Sequence, residues 1–142
     1  MNIGIDAKRI FFNNSGLGNY SRRFYGALVQ DTTDDSFYLY TPRKVQENNP
    51  YLKVVEEKNS LVIEPEKHWH RIMSGSLWRS RLINGQLRKD KIEIYYGLSN
   101  EIPFGINGTK AKSVVIIHDL IFLRYPELYP SIDAFFYRKK TR

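Results

Sequence analysis

Five consecutive residues, Ser113-Val114-Val115-Ile116-Ile117, form the most restrictive stretch of this 142-residue chain. The four that follow Ser113 are β-branched and apolar, so the stretch reads as a buried strand. A parallel strand of that kind needs helices on both faces of its sheet, and the rest of the sequence must supply them. His118-Asp119 follow directly. Open α/β sheets bind their ligands outside the carboxyl ends of the strands, so this pair stands where chemistry is expected.

The remaining segments fit the same pattern. Asn2 to Ala7 is a short apolar run containing Asp6, typical of a first parallel strand. Ser36-Phe37-Tyr38-Leu39-Tyr40, Leu61-Val62-Ile63 and Lys91 to Tyr96 read as further strands, and Tyr51 to Val55 as a short edge strand. Between them, Leu17 to Gln30 has helical periodicity, with Tyr20, Phe24, Ala27 and Leu28 expected to face the sheet and Arg22 and Arg23 to point away. Trp69 to Met73 and Leu77 to Arg88 are expected to be helical. In the second, Leu77, Trp78, Leu82, Ile83 and Leu87 form the apolar stripe. Phe11 to Ser15, Pro42 to Pro50 and Ile102 to Lys112 read as loops, and Leu120 to Tyr125 as an irregular or short helical turn. Ser131 is a good N-cap for a final helix. Strands alternating with helices predict an α/β fold, a Rossmann-like, doubly wound, mostly parallel sheet spanning 1–142 as one domain. The last residues, Lys140-Thr141-Arg142, fall inside that final helix with no C-cap signal. The expectation is a domain incomplete at its carboxyl end, within a longer protein.

Composition narrows the function classes. A hydrophobic content of 42% with 14% aromatics argues against disorder. No apolar run approaches the roughly 20 residues that span a bilayer, and the polar start Met1-Asn2-Ile3-Gly4-Ile5-Asp6 does not read as a signal peptide. The absence of cysteine excludes a disulfide framework and thiolate metal sites. A cytoplasmic location is the default. The net charge of +7 suits anionic partners, whether phosphorylated ligands, a membrane surface or nucleic acid, or else a solvated basic face. The basic residues are dispersed, and none of their clusters forms a tail.

Three polar clusters stand past predicted strand ends. Gly16-Leu17-Gly18-Asn19-Tyr20 precedes the first long helix. Glycine there allows close backbone approach, and free N–H groups at a helix start favour an anion. The same turn also serves as an ordinary helix start. Ser21 occupies the third glycine position of a dinucleotide fingerprint, and no Gly-Lys-Ser/Thr is present, so neither nucleotide motif is complete. Ser99, Asn100 and Glu101 follow Tyr96-Gly97-Leu98 and can bind sugar hydroxyls or cap a solvated loop. His118 can hydrogen-bond a ligand or transfer protons, and Asp119 can orient it or cap the next turn. Both residues can equally be structural. No G-x-S-x-G elbow supports a serine hydrolase. His68 and His70, two apart, fall on different sides of a helix, which disfavours a metal site.

Four segments in this order resemble the N-terminal domain of group 1 glycosyltransferases, the family 4 retaining enzymes of the GT-B type. They are Met1 to Ala7, Gly16 to Tyr20, Tyr96 to Pro103, and Ile117-His118-Asp119-Leu120-Ile121-Phe122-Leu123-Arg124-Tyr125-Pro126-Glu127. The last is the most specific. The resemblance implies two Rossmann-like domains across a cleft, with this chain as the acceptor-side half and a separate C-terminal domain as donor-binding partner. It implies a nucleotide-diphosphate sugar as donor substrate, no cofactor and no metal, and transfer of a hexose-type sugar with retention. On this chain it places donor-diphosphate contacts at Gly16, Leu17 and Gly18. Contact with the transferred sugar falls to His118, with Asp119 in support. Acceptor contacts fall to Asn19, Tyr20, Ser99, Asn100 and Glu101. Tyr96 departs from the family, which often has His before Gly-Leu-Ser, so no acid/base role is carried to it.

The function so implied is hexosyl transfer in cell-surface polysaccharide or glycolipid synthesis, by the full-length protein and not by this chain alone. The acceptor would be a sugar or a lipid-linked sugar. Arg79 to Arg88 on an amphipathic stretch could contact an anionic inner-membrane surface peripherally, or form a solvated face. A different class, a basic nucleic-acid-binding or other anion-binding α/β module, fits the charge and aromatics. No signature of the usual nucleic-acid-binding modules supports it, and no nucleic-acid partner is expected.

Overall fold

A computed structural model describes residues 1–31, 34–55, 59–65 and 75–125. Five strands form one parallel sheet in the order β3-β2-β1-β4-β5: β1 Asn2–Asp6, β2 Ser36–Tyr40, β3 Ser60–Ile63, β4 Ile94–Gly97 and β5 Lys112–Val115. Register is continuous: Ile5 pairs with Leu39 on one side and with Tyr96 on the other. The chain moves outward from β1 through β2 to β3, then returns to place β4 on the other side of β1. The junction of β1 and β4 is therefore the switch point, outside whose carboxyl ends a sheet of this type forms its ligand crevice. The α/β, Rossmann-like, doubly wound expectation holds.

Alternation along the strands gives each face a core. Ile3, Ile5, Phe37 and Leu39 point to one face, where helix α2 (Gly16–Asp31) covers them with Tyr25 and Val29. Tyr40, Tyr95 and Ile92 occupy the other, under Trp78, Ile83 and Leu87. Those three belong to α3, a helix over 75–89. Its middle, Trp78–Leu82, is π-helical, between α-helical Gly75–Leu77 and Ile83–Lys89. Gly4 lies between the two tyrosines: a Cβ there would stand 3.0 Å from Tyr40 and 3.1 Å from Tyr95. Its lack of a side chain lets the rings approach to 6.3 Å between centroids.

Several expectations are corrected. Lys8–Phe12 is a helix, α1, where Phe11 to Ser15 reads as a loop; it buries Ile10 and Phe11. Tyr51 to Val55 is not a strand but contains a 3₁₀ turn, Leu52–Val54. The face of α2 is rotated from the expected one. Ser21, Tyr25 and Val29 are its buried ridge, Tyr20 is 43% exposed, and Ala27 faces solvent. Phe24 and Leu28 pack at the margin of the core. Arg22 does not point away but folds back onto the Ile10 and Asn13 carbonyls, each at 2.9 Å. The 113–117 strand is shorter than expected and exposed: it ends at Val115, and Val114 is 41% exposed on the sheet edge. Helix Ile121–Arg124 matches the short turn anticipated there. The helices expected at Trp69 to Met73 and from Ser131 lie outside the described residues. No helix among the described residues is long and apolar enough to cross a membrane.

Lys91 is one of two non-glycine residues with a left-handed backbone among the described residues, the other being Asn100. α3 ends with Lys91 N–H bonded to the Arg88 carbonyl and Ile92 N–H to that of Leu87, which forces Lys91 to φ 52°. That left-handed conformation suits glycine. Lys91→Gly is expected to raise unfolding free energy by about 0.5–1 kcal/mol, measurable as a later denaturant midpoint at unchanged m-value.

Candidate functional site

Asn13 organises the start of α2. Its Oδ1 accepts from Ser15 N–H at 2.9 Å, Ser15 Oγ at 2.6 Å and Gly18 N–H at 3.0 Å. The Gly16 and Leu17 N–H groups have no acceptor among the described residues. They form the positive end of a sixteen-residue helix. The two glycines differ. A Cβ on Gly16 would meet open space, whereas one on Gly18 would overlap the Asn13 carbonyl oxygen and stand 2.7 Å from its carbon. Gly18 thus allows the helix to close onto the preceding turn. The glycine turn of the sequence is the helix's own first turn.

The segment after β4 folds back tightly. A Cβ on Gly97 would overlap the Glu101 carbonyl oxygen, so only glycine permits this return. Asn100, at φ 59°, donates its N–H to the Ile116 carbonyl at 3.0 Å, and Ile116 N–H bonds to Gly97 at 2.8 Å. The Asn100 side-chain oxygen accepts the His118 N–H at 2.7 Å. The His118 ring nitrogen Nε2 lies 2.9 Å from the Leu98 carbonyl. A carbonyl only accepts, so Nε2 carries a proton there and Nδ1 is the ring nitrogen not engaged by it. Tyr20, on α2, meets the His118 ring edge-on at 5.0 Å. The structure thus brings the first turns of α2, the 97–101 segment and His118 together.

Individual residues differ in what they leave available. The Ser99 hydroxyl oxygen is enclosed and has no partner among the described residues. Asn19 gives its side-chain oxygen to Arg22 at 2.6 Å. Asp119 is exposed, and its Oδ1 accepts the Ile121 N–H at 3.2 Å in an Asx-type turn. Glu101 pairs with Arg79.

That pairing belongs to a buried ionic group absent from the sequence reading. Asp6, 2% exposed at the end of β1, accepts Arg79 Nη1 at 2.7 Å, while Arg79 Nη2 pairs with Glu101. The expectation of an exposed basic face fails for Arg79, which is buried; Arg81 and Arg88 are exposed. Burial pulls the Arg79 pKa down, but the charges of Asp6 and Glu101 outweigh it and hold it above its ordinary value. Neighbouring Lys8 shifts the other way: burial, then the charges of Arg79 and Arg9, push its ammonium down. Burial chiefly pushes the Tyr95 phenol well up, so it stays neutral beside the group. In the sequence, the available signal was Asp6 itself, a carboxylate ending an apolar run. Arg79 carried none, because the π-helical turn buries it next to Trp78 and breaks the helical phase.

The arrangement can hold an anion at α2 and offer an imidazole nitrogen at the β4 and β5 ends. Among the described residues no three His, Asp or Glu side chains gather as a metal site. No protein-family model, curated protein or solved structure matches the chain.

Proposed function

We propose that this chain is the acceptor-side domain of a nucleotide-sugar-dependent glycosyltransferase. The observation that carries the reading is convergence at one sheet edge. The anion-ready start of α2 and the strand-end His118 are joined through Tyr20, beside the polar 99–101 segment. The four-segment resemblance to family 4 retaining enzymes supplies the reaction.

In this reading a hexose-type sugar moves from a nucleotide diphosphate to an acceptor hydroxyl with retention. The bond from sugar C1 to the diphosphate oxygen breaks, and one from C1 to the acceptor oxygen forms on the same face. The acceptor proton leaves with the diphosphate. Gly16 and Leu17 N–H groups stabilise the charge that develops on the diphosphate. Gly18 keeps that turn close to it. His118 Nδ1 takes a hydrogen bond from a hydroxyl of the transferred sugar, with Asp119 holding the turn that follows. Tyr20 faces the acceptor, flanked by Asn19, Ser99, Asn100 and Glu101. The donor's nucleotide is held by a separate C-terminal domain, and closure of the two excludes competing water. Cell-surface polysaccharide or glycolipid synthesis in the cytoplasm, at the inner membrane face, is the setting.

The test uses the native gene product. Its intact mass is measured first, then transfer and donor hydrolysis with a panel of nucleotide sugars. His118→Ala is expected to lower turnover about 10- to 100-fold, the equivalent of one lost hydrogen bond of about 1.5–3 kcal/mol. A product that neither binds nor hydrolyses any nucleotide sugar, yet binds oligonucleotides with a steep salt dependence, would replace this reading with the basic binding module.

A further inference from the structure

We infer that Arg79 is a positioning residue for His118, acting through a buried clamp at the switch point of the sheet. His118 lies beyond the end of its own strand, which stops at Val115 on the exposed edge. Among the described residues its polar contacts are to the neighbouring segment: backbone N–H to Asn100 Oδ1 and ring Nε2 to the Leu98 carbonyl. Beyond the edge-on contact with Tyr20, the imidazole is therefore held through residues 98–100.

Those residues are in turn held from their other end. Glu101 is paired with Arg79, Phe104 N–H bonds to the Ser80 carbonyl at 2.7 Å, and Asn84 Nδ2 bonds to the Phe104 carbonyl at 2.7 Å. All three anchors are on α3. Arg79 also reaches β1, through Asp6. A guanidinium can do this because its planar fork serves two carboxylates at once, which a lysine ammonium on one stem does poorly. The π-helical turn at Trp78–Leu82 buries both Trp78 and Arg79, sending Trp78 to the core and Arg79 to the strand ends. Such turns concentrate at functional sites. The clamp spans β1 and β4, the pair outside which the ligand crevice of this topology opens.

A purely structural ion pair would lower stability everywhere. A positioning residue loosens one place first, and hydrogen exchange separates the two. In the native gene product, Arg79→Met is expected to lower exchange protection over 97–104 and 114–120 on the order of tenfold more than over 2–6. Arg79→Lys should recover most of the global protection without restoring these two segments. Glu101→Gln leaves the Asp6–Arg79 pair in place, so it reports even where Arg79→Met does not fold. It should loosen the same segments selectively. Protection that falls uniformly, or does not change in Glu101→Gln, overturns the clamp. The bearing of the clamp on turnover rests on the glycosyltransferase reading, but the exchange result does not. A wild-type product with no transferase activity defeats that reading alone. A variant at position 79 that loses turnover with these segments still protected defeats the clamp alone.

Discussion

Gly18→Ala is expected to cost about 3 kcal/mol of stability, at the upper end for an overpacked site, whereas Gly16→Ala, two residues earlier, costs almost nothing. The contrast is geometric. The added methyl at 18 overlaps the Asn13 carbonyl oxygen, and both partners are backbone, so no side chain can rotate away. Relief requires moving the start of α2 off the 13–15 turn. That movement lengthens the 3.0 Å bond from Gly18 N–H to Asn13 Oδ1 and releases a donor that the turn had satisfied. At position 16 a methyl enters open space, and alanine is a better helix former than glycine. Urea denaturation of the two variants measures the difference. If both are neutral, the first turn of α2 is not held by Asn13 as described. The effect should extend to function, because the same movement displaces the Gly16 and Leu17 N–H groups and, a turn later, Tyr20 against His118.

How much of this was legible in the sequence depends on which force set each element. Strand Ser36–Tyr40 was readable to the residue, since a run of aromatic and apolar residues between polar turns has few alternatives. The span of α2 was readable as well, but not its rotation: Tyr20 and Phe24 are large and apolar, yet Tyr20 is largely exposed and Phe24 packs only at the margin of the core, while Ser21 and Tyr25 face the sheet. Ser21 can be buried because its hydroxyl bonds back to the Leu17 carbonyl at 2.8 Å. Val114 and Ile117 look like core residues and are 41% and 44% exposed, the first on β5, which pairs only with β4 among the described residues, and the second just past its end. At the site, His118 and the 99–101 segment were visible because polar residues directly after apolar runs stand out. Arg79 was not, because an arginine among Arg81 and Arg88 on a helix looks solvated. Nothing local shows that a π-helical turn moves it inward, or that residues 73 and 22 positions away meet it.

The second large effect concerns that group. Asp6→Ala is expected to destabilise the protein by about 3–5 kcal/mol, because it leaves a buried guanidinium with one carboxylate partner instead of two. This is a large share of a typical domain's 5–15 kcal/mol. The cation has no means of relieving itself, because a guanidinium stays protonated at any pH at which a protein is handled. Asp6 also accepts the Lys8 N–H at 3.2 Å, so its loss frees the start of α1 as well. The double variant Asp6→Ala/Arg79→Met removes the stranded charge with its partner and should be less destabilised than the sum of the single changes by about 1–3 kcal/mol. Denaturant titration of the two singles and the double gives that coupling. Additive losses would mean that Asp6 and Arg79 act independently despite their 2.7 Å contact. A large coupling would fit an ion group kept at the switch point for the geometry it imposes on Glu101 and the segment before it, since a well-packed apolar pair would serve stability as well.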